Sequence, residues 1–157
     1  MTELLKADTA GISRAADLLR QGKLVAFGTE TVYGLGALAS SDTAVARIFA
    51  AKGRPRFNPL INHLPDAESA FAQADLSGRT GEMARALAEK FWPGPLTLVM
   101  PRGENATVSD LAAAGLPTLA LRVPRGKTAL ALLREVGAPV AAPSANRSGT
   151  VSPSDAF

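Results

Sequence analysis

Three polar stretches, far apart along the chain, hold the side chains with which this sequence could do chemistry. The most charged is Lys52-Gly53-Arg54-Pro55-Arg56-Phe57-Asn58-Pro59, where three cations lie beside a glycine and two prolines. From Arg47 to Arg56 there are four basic residues and no acidic one, so nothing inside the segment offsets the field of Lys52, Arg54 and Arg56. Gly53 suits the left-handed end of a helix. Pro55 and Pro59 restrict the backbone on either side, so less freedom is lost on meeting a ligand. A segment of this kind is suited to hold an anion. The plainer reading is that Lys52 and Arg54 offset the negative end of a preceding helix dipole, an effect of about 1 kcal/mol or less.

The second stretch, Pro143-Ser144-Ala145-Asn146-Arg147-Ser148-Gly149, offers two hydroxyls, a carboxamide and a guanidinium, and Ser152 and Ser154 follow around Pro153. Small donors on a glycine-containing loop approach phosphate or ribose oxygens closely, although Ser and Asn also build ordinary turns and caps. The third, Gly28 to Gly36, packs hydroxyls and the Glu30 carboxylate among three glycines. A lone carboxylate in such a turn is expected to cap backbone amides, so Glu30 is not placed among the catalytic residues. His63, the only histidine, closes a short apolar run, where it reads as a hydrogen-bonded core residue as readily as a ligand.

The elements that must position these stretches follow from periodicity and punctuation. Asp8 or Thr9 caps a helix that stops at Gly22; Lys23 to Phe27 reads as a buried strand, and Gly28 to Gly36 as a polar loop. Ser41 or Asp42 caps a second helix ending at Gly53, and Leu60 to His63 is a strand. A short helix over Asp66 to Phe71 precedes a longer one over Thr80 to Phe91, with Met83, Leu87 and Phe91 inward and Pro93 as its stop. Trp92 is expected in a packed corner of the core. Strands follow at Leu96 to Met100 and Thr118 to Val123, then a helix over Thr128 to Val136 and a strand over Val140 to Ala142. Helices and short strands in alternation argue an α/β architecture with a mixed, twisted open sheet, in which ligands collect where strands end.

Composition narrows the chemistry. At 157 residues, one domain suffices. The absence of cysteine excludes disulfides, thiolate metal sites and a cysteine nucleophile, and one histidine excludes a multi-histidine zinc site. No run of apolar residues approaches a membrane span and no signal-peptide core opens the chain, so a soluble cytoplasmic protein is expected. The net charge of +3 leans towards anionic partners.

Lys-Gly-Arg-Pro with Asn-Pro-Leu following, Thr-Glu-Thr-Val-Tyr-Gly-Leu-Gly, Phe-Trp-Pro-Gly-Pro-Leu-Thr-Leu, Arg-Val-Pro and Ala-Pro-Ser-Ala-Asn-x-Ser-Gly are all present. Taken together these motifs resemble the YrdC family, the threonylcarbamoyl-AMP synthases, from about Gly11 to Phe157. The resemblance implies a YrdC-like sheet flanked by helices around a concave, positively charged cleft. It also implies a reaction in which L-threonine, bicarbonate and ATP give threonylcarbamoyl-adenylate and pyrophosphate, for later transfer to tRNA, directly or through a tRNA-modifying complex. On that basis Lys52 and Arg54 clamp the phosphates as the catalytic cations. Asn58, Thr118, Ser144, Asn146 and Ser152 complete the ATP site. Thr31, His63, Arg122 and the backbone at Ala142 hold threonine, Arg122 as a two-pronged partner for its carboxylate. Magnesium is expected on the triphosphate, held by phosphate and water and by no protein cage.

Three departures from the family pattern stand out. Gly28 replaces the proline that usually opens the Thr-Glu-Thr motif, and Ser154 replaces a threonine. Family members also continue beyond the position of Phe157 through strands carrying Glu-Ser-Thr, so residues 1–157 are expected to form one YrdC-like domain without its C-terminal elements. Two other readings stand beside this one: a tRNA-binding or double-stranded-RNA-binding module of the same fold, which the basic stretches would suit, and the related domain of hydrogenase-maturation carbamoyltransferases, which resembles this family.

Overall fold

A computed structural model describes residues 2–156 apart from Arg54 and Arg56. The chain runs α1 (Thr9–Arg20), β1 (Val25–Gly28), β2 (Tyr33–Leu38), α2 (Asp42–Lys52), β3 (Ile61–His63), α3 (Ala67–Phe71), α4 (Gly78–Phe91), β4 (Leu98–Pro101), β5 (Thr118–Arg122), α5 (Lys127–Val136) and β6 (Val140–Ala141). Its strands form one six-stranded sheet in the order β1-β2-β6-β3-β5-β4. Only β3 and β5 run parallel; the other neighbours are antiparallel, so the sheet is mixed as expected. Among the described residues no helix is long and apolar enough to cross a membrane.

The helix boundaries follow the sequence signals. Asp8 caps α1 by accepting the Gly11 N–H, Ser41 caps α2 through the Ala44 N–H, and Gly53 ends α2 in the left-handed region at φ 60°. One core layer joins Ala15, Ala16 and Leu19 of α1 to Leu132, Leu133 and Val136 of α5 over Phe27 and Val140. The other joins Val45, Ile48 and Phe49 of α2 to Leu60, Leu98, Met100, Leu119 and Leu121.

Two expectations are corrected. The stretch read as a polar loop from Gly28 to Gly36 contains β2, which pairs with β1 on one side and β6 on the other. Its glycines serve space, not turning: a Cβ on Gly36 would lie 2.8 Å from the Phe27 ring and 3.1 Å from Val140, and one on Gly34 would lie 3.2 Å from the Ala142 methyl. The second correction concerns α4, which starts at Gly78 and turns Met83 (54% exposed) and Phe91 (44%) outward. The buried face is Gly81, Ala84 and Ala88, because small residues let the helix lie close on its neighbours. Trp92 is partly buried and packs against the core, with its indole N–H donating to the Leu96 carbonyl at 2.8 Å.

Register decides which side chains face the site. Successive residues of a strand point to opposite faces. The pairs Ile61↔Ala120, Asn62↔Leu121 and His63↔Arg122 therefore send Asn62 and Leu121 into the core layer, and Ile61, Ala120, His63 and Arg122 to the other face. Thr118 shares that face by parity on β5, as does Val99 opposite Ala120, whose 67% exposure shows this end of the face to be open.

Candidate functional site

His63 and Arg122 are the last residues of the two parallel strands, the position at which an open α/β sheet gathers ligands. They lie directly opposite one another in the register, with Val140 of β6 flanking His63 on its other side. Two residues on, Ala142 continues the same face, and its N–H is spent on the Ile61 carbonyl at 3.0 Å.

Arg122 is only 7% exposed, and its guanidinium is fixed by neighbours from two distant segments. Nε donates to the Gly94 carbonyl at 3.2 Å, and Nη2 donates to Glu30 Oε1 at 2.6 Å and to Thr31 Oγ1 at 3.2 Å. Glu30 and Thr31 reach this point because they occupy the tip of the β1–β2 hairpin. There the Thr29 hydroxyl donates to the Val32 carbonyl at 2.7 Å and lies 2.9 Å from the Thr31 hydroxyl. Among the described residues nothing engages Nη1. A carboxylate approaching with Glu30 in place therefore meets one nitrogen of Arg122, in contrast to the two-pronged partnership expected from the sequence.

His63 is 3% exposed and lies edge-on to Phe27, the ring centroids 6.4 Å apart. Burial first, and the neighbouring Arg122 charge second, push its pKa down to about 4, so the imidazole is neutral near pH 7. Its Nδ1 is buried without a hydrogen-bond partner among the described residues. A neutral ring with an unmet nitrogen is prepared to bind a ligand's polar group. Partial burial alone would raise the Glu30 carboxyl, but the Arg122 hydrogen bond and backbone N–H groups draw it below the usual carboxylate value.

The second cluster forms where α2 ends. Lys52 is 4% exposed, and its ammonium donates to the main-chain carbonyls of Ser144 and Asn146, while its own carbonyl accepts the Ser148 N–H at 3.0 Å. The anionic helix end, the cation and the serine-rich loop are thus one unit, as a buried ammonium requires. Asn146 holds the loop closed by donating to the carbonyls of Arg147 and Thr150, both at 2.8 Å. Its Oδ1 is buried without a donor among the described residues. The two clusters are joined by the chain itself, since β6 runs through Ala142 into Ser144, and Ser144 bridges Gly34 of β2.

The remaining sequence-predicted residues are placed less tightly. Thr118 lies on the site face of β5, partly exposed. Asn58 is partly exposed beyond α2, its N–H donating to the Pro55 carbonyl at 3.3 Å. Ser152 is exposed, beside Pro153, whose carbonyl accepts the Tyr33 N–H at 2.9 Å. Arg54 lies outside the described residues.

Two participants escaped the sequence reading. Glu30 caps a backbone amide as expected, accepting the Arg125 N–H at 3.1 Å, but it also pairs with Arg122, 92 residues away. The Pro93–Gly94 corner, read as packing alone, buttresses the site: the Gly94 carbonyl receives Arg122 Nε and the Pro93 carbonyl receives Arg125 Nε at 3.3 Å. Neither partnership has a signal in local sequence.

Comparison with known proteins identifies the family and the fold. Residues 17–157 match the family model Sua5_yciO_yrdC, described as telomere recombination. A Bacillus subtilis (strain 168) protein named threonylcarbamoyl-AMP synthase is 49% identical over 156 residues, 99% of this chain and 44% of the relative. A crystal structure of P. abyssi Sua5 complexed with L-threonine superposes with a TM-score of 0.86 at 49% identity, covering 96% of this chain and 42% of that one. The chain therefore spans less than half the length of these relatives. Full-length HypF in a phosphate- and nucleotide-bound form, 21% identical with a TM-score of 0.76 over 92% of this chain and 22% of its own, shares the fold alone.

Proposed function

The chain belongs to the Sua5/YciO/YrdC family, and from that premise we propose that it makes threonylcarbamoyl-AMP and pyrophosphate from L-threonine, bicarbonate and ATP. The observation that carries this reading is that the β1–β2 hairpin and β6 connect two clusters: Thr31 at the hairpin tip reaches Arg122, and Ser144, just beyond β6, bridges Gly34 of β2. One is cationic and rich in small donors, around Lys52, Ser144 and Asn146; the other pairs Arg122 and Thr31 with a neutral His63.

In this reading threonine sits at the ends of β3 and β5, with its carboxylate towards Arg122 Nη1 and a polar group towards His63 Nδ1. Its ammonium first gives up a proton to solvent water; the free amine nitrogen then bonds to the carbon of bicarbonate, water leaves, and a carbamate results. One carbamate oxygen then attacks the α-phosphorus of ATP, and the bond to the departing pyrophosphate breaks. Negative charge grows on the phosphoryl oxygens and the leaving group, so catalysis is mainly positioning and charge stabilisation. Lys52 and Arg54 supply positive charge, and the Ser144–Asn146 loop, with Asn58, Thr118 and Ser152, receives the nucleotide. The unmet Asn146 Oδ1 is an acceptor suited to a hydroxyl or amino donor of the nucleoside. Among the described residues no three His, Cys, Asp or Glu side chains gather into a metal cage. Magnesium would be carried on the triphosphate by phosphate and water, where it would neutralise phosphate charge. Transfer of the product to tRNA follows by chemistry outside this chain.

Pyrophosphate release with ATP and bicarbonate, measured with and without L-threonine, tests the proposal. Threonine-dependent release is expected. Release that ignores threonine, or none at all with both ligands bound, would overturn it.

A further inference from the structure

Arg122 could offer a carboxylate-binding edge without any acidic neighbour, yet the fold brings one to it. Glu30 Oε1 lies 2.6 Å from Arg122 Nη2, and Oε2 accepts the Arg125 N–H at 3.1 Å. Their side chains are 9% and 19% exposed, so the pair is shielded from bulk solvent. An ionised carboxylate accepts about four hydrogen bonds, and two of these are filled by the protein. The rest of the local charge is simple. His63 is neutral near pH 7, and the Arg125 guanidinium is turned to the Pro93 carbonyl. The face at the ends of β3 and β5 therefore presents one guanidinium nitrogen with no described partner beside one carboxylate with acceptor capacity left.

A positive and a negative group side by side form the complement of a zwitterion. An α-amino acid carries its carboxylate and ammonium on a single carbon, and a neighbouring guanidinium and carboxylate match that spacing. A simple carboxylic acid would gain the first contact and meet repulsion from the second group. We propose that Glu30 is a specificity-determining residue, receiving the α-ammonium of the incoming amino acid while Arg122 receives its carboxylate. This rests on the reading of Arg122 as the threonine site. Glu30 also serves as a positioning residue, since it holds Nη2 and so directs Nη1 towards the ligand. The carboxyl stays ionised because Arg122 and the backbone N–H groups draw its pKa down, which suits a fixed charge and not a proton acceptor.

The test compares L-threonine with 3-hydroxybutanoate, which lacks only the amino group, by calorimetric titration of the full chain and of its Glu30→Gln variant. ATP affinity and urea midpoint are measured alongside. The unaltered protein should prefer threonine. Glu30→Gln should cut that preference about 10-fold, the usual effect of losing a charged hydrogen-bond partner, with ATP affinity unchanged. Should Glu30→Gln not fold, Glu30→Asp carries the test: a carboxylate withdrawn by one methylene should lower the preference in the same direction. An unchanged preference in the variant, or equal weakening of both ligands, overturns the inference. Unaltered protein that binds threonine no better than 3-hydroxybutanoate overturns it as well, while leaving the threonine site intact. Unaltered protein that binds no threonine overturns the proposed function itself.

Discussion

His63 permits a quantitative test, because it is the sole histidine and its titration can be followed without ambiguity. In the unfolded chain the imidazole titrates near 6.5; in the native protein burial, helped by the Arg122 charge, lowers this to about 4. Between these values the unfolded chain holds a proton that the native protein refuses. The contribution of the neutral ring to stability is therefore fully present above pH 6.5, falls as the pH drops towards 4, and levels off below. At about 1.36 kcal/mol per pH unit the whole effect is about 3 kcal/mol, of which about 2.5 kcal/mol is lost by pH 4.5. Urea unfolding at pH 7.5 and pH 4.5 measures it when the unaltered protein is compared with His63→Gln. Carboxylates titrate in both proteins and cancel in the comparison. The unaltered protein should lose about 2.5 kcal/mol more than the variant over this interval. Equal losses, or a native imidazole midpoint near 6.5 by NMR, would refute the claim that this ring is buried beside a guanidinium.

Lys52→Met should abolish threonine-dependent pyrophosphate release and also lower stability by roughly 2 kcal/mol, because the Ser144 and Asn146 carbonyls lose their charged donor; unchanged urea midpoints would exclude the latch between α2 and the loop. Arg122→Lys should weaken L-threonine by about 10-fold or more in calorimetry with ATP affinity intact, since one ammonium cannot serve Gly94, Glu30, Thr31 and a ligand at once. Equal weakening of both ligands would argue against a threonine role. Gly36→Ala should cost about 1–3 kcal/mol in thermal or urea unfolding, since its Cβ would lie 2.8 Å from the Phe27 ring; a neutral result would show that β1 and β2 can separate.

Much of the fold was legible because its signals are local. Caps at Asp8 and Ser41, the left-handed Gly53 and the apolar periodicity of α1, α2 and α5 set the helices near their observed bounds. What was not legible depends on partners remote in sequence. β2 was hidden because glycine is an expected turn residue, whereas Gly34 and Gly36 are needed where Ala142, Val140 and Phe27 crowd the strand. The orientation of α4 was hidden because apolar residues at helical spacing, Met83 and Phe91, are exposed, while alanines make the contact. In the site, the cationic and serine-rich motifs could be identified from their residue types. That the Lys52 ammonium is bound by the main chain of the second motif, and that Glu30 is bound to Arg122, follows only from the sheet order that sets β6 between β3 and the β1–β2 hairpin.

The central claim is that L-threonine binds at the shared ends of β3 and β5. The single imidazole reports on that spot, so the most direct measurement is the NMR signal of His63 during titration with L-threonine at pH 7.5. A saturable shift, lost in the Arg122→Lys variant at the same ligand concentration, is the expected result. Saturation of the protein with threonine while the imidazole signal stays still would place the amino acid elsewhere and contradict the account.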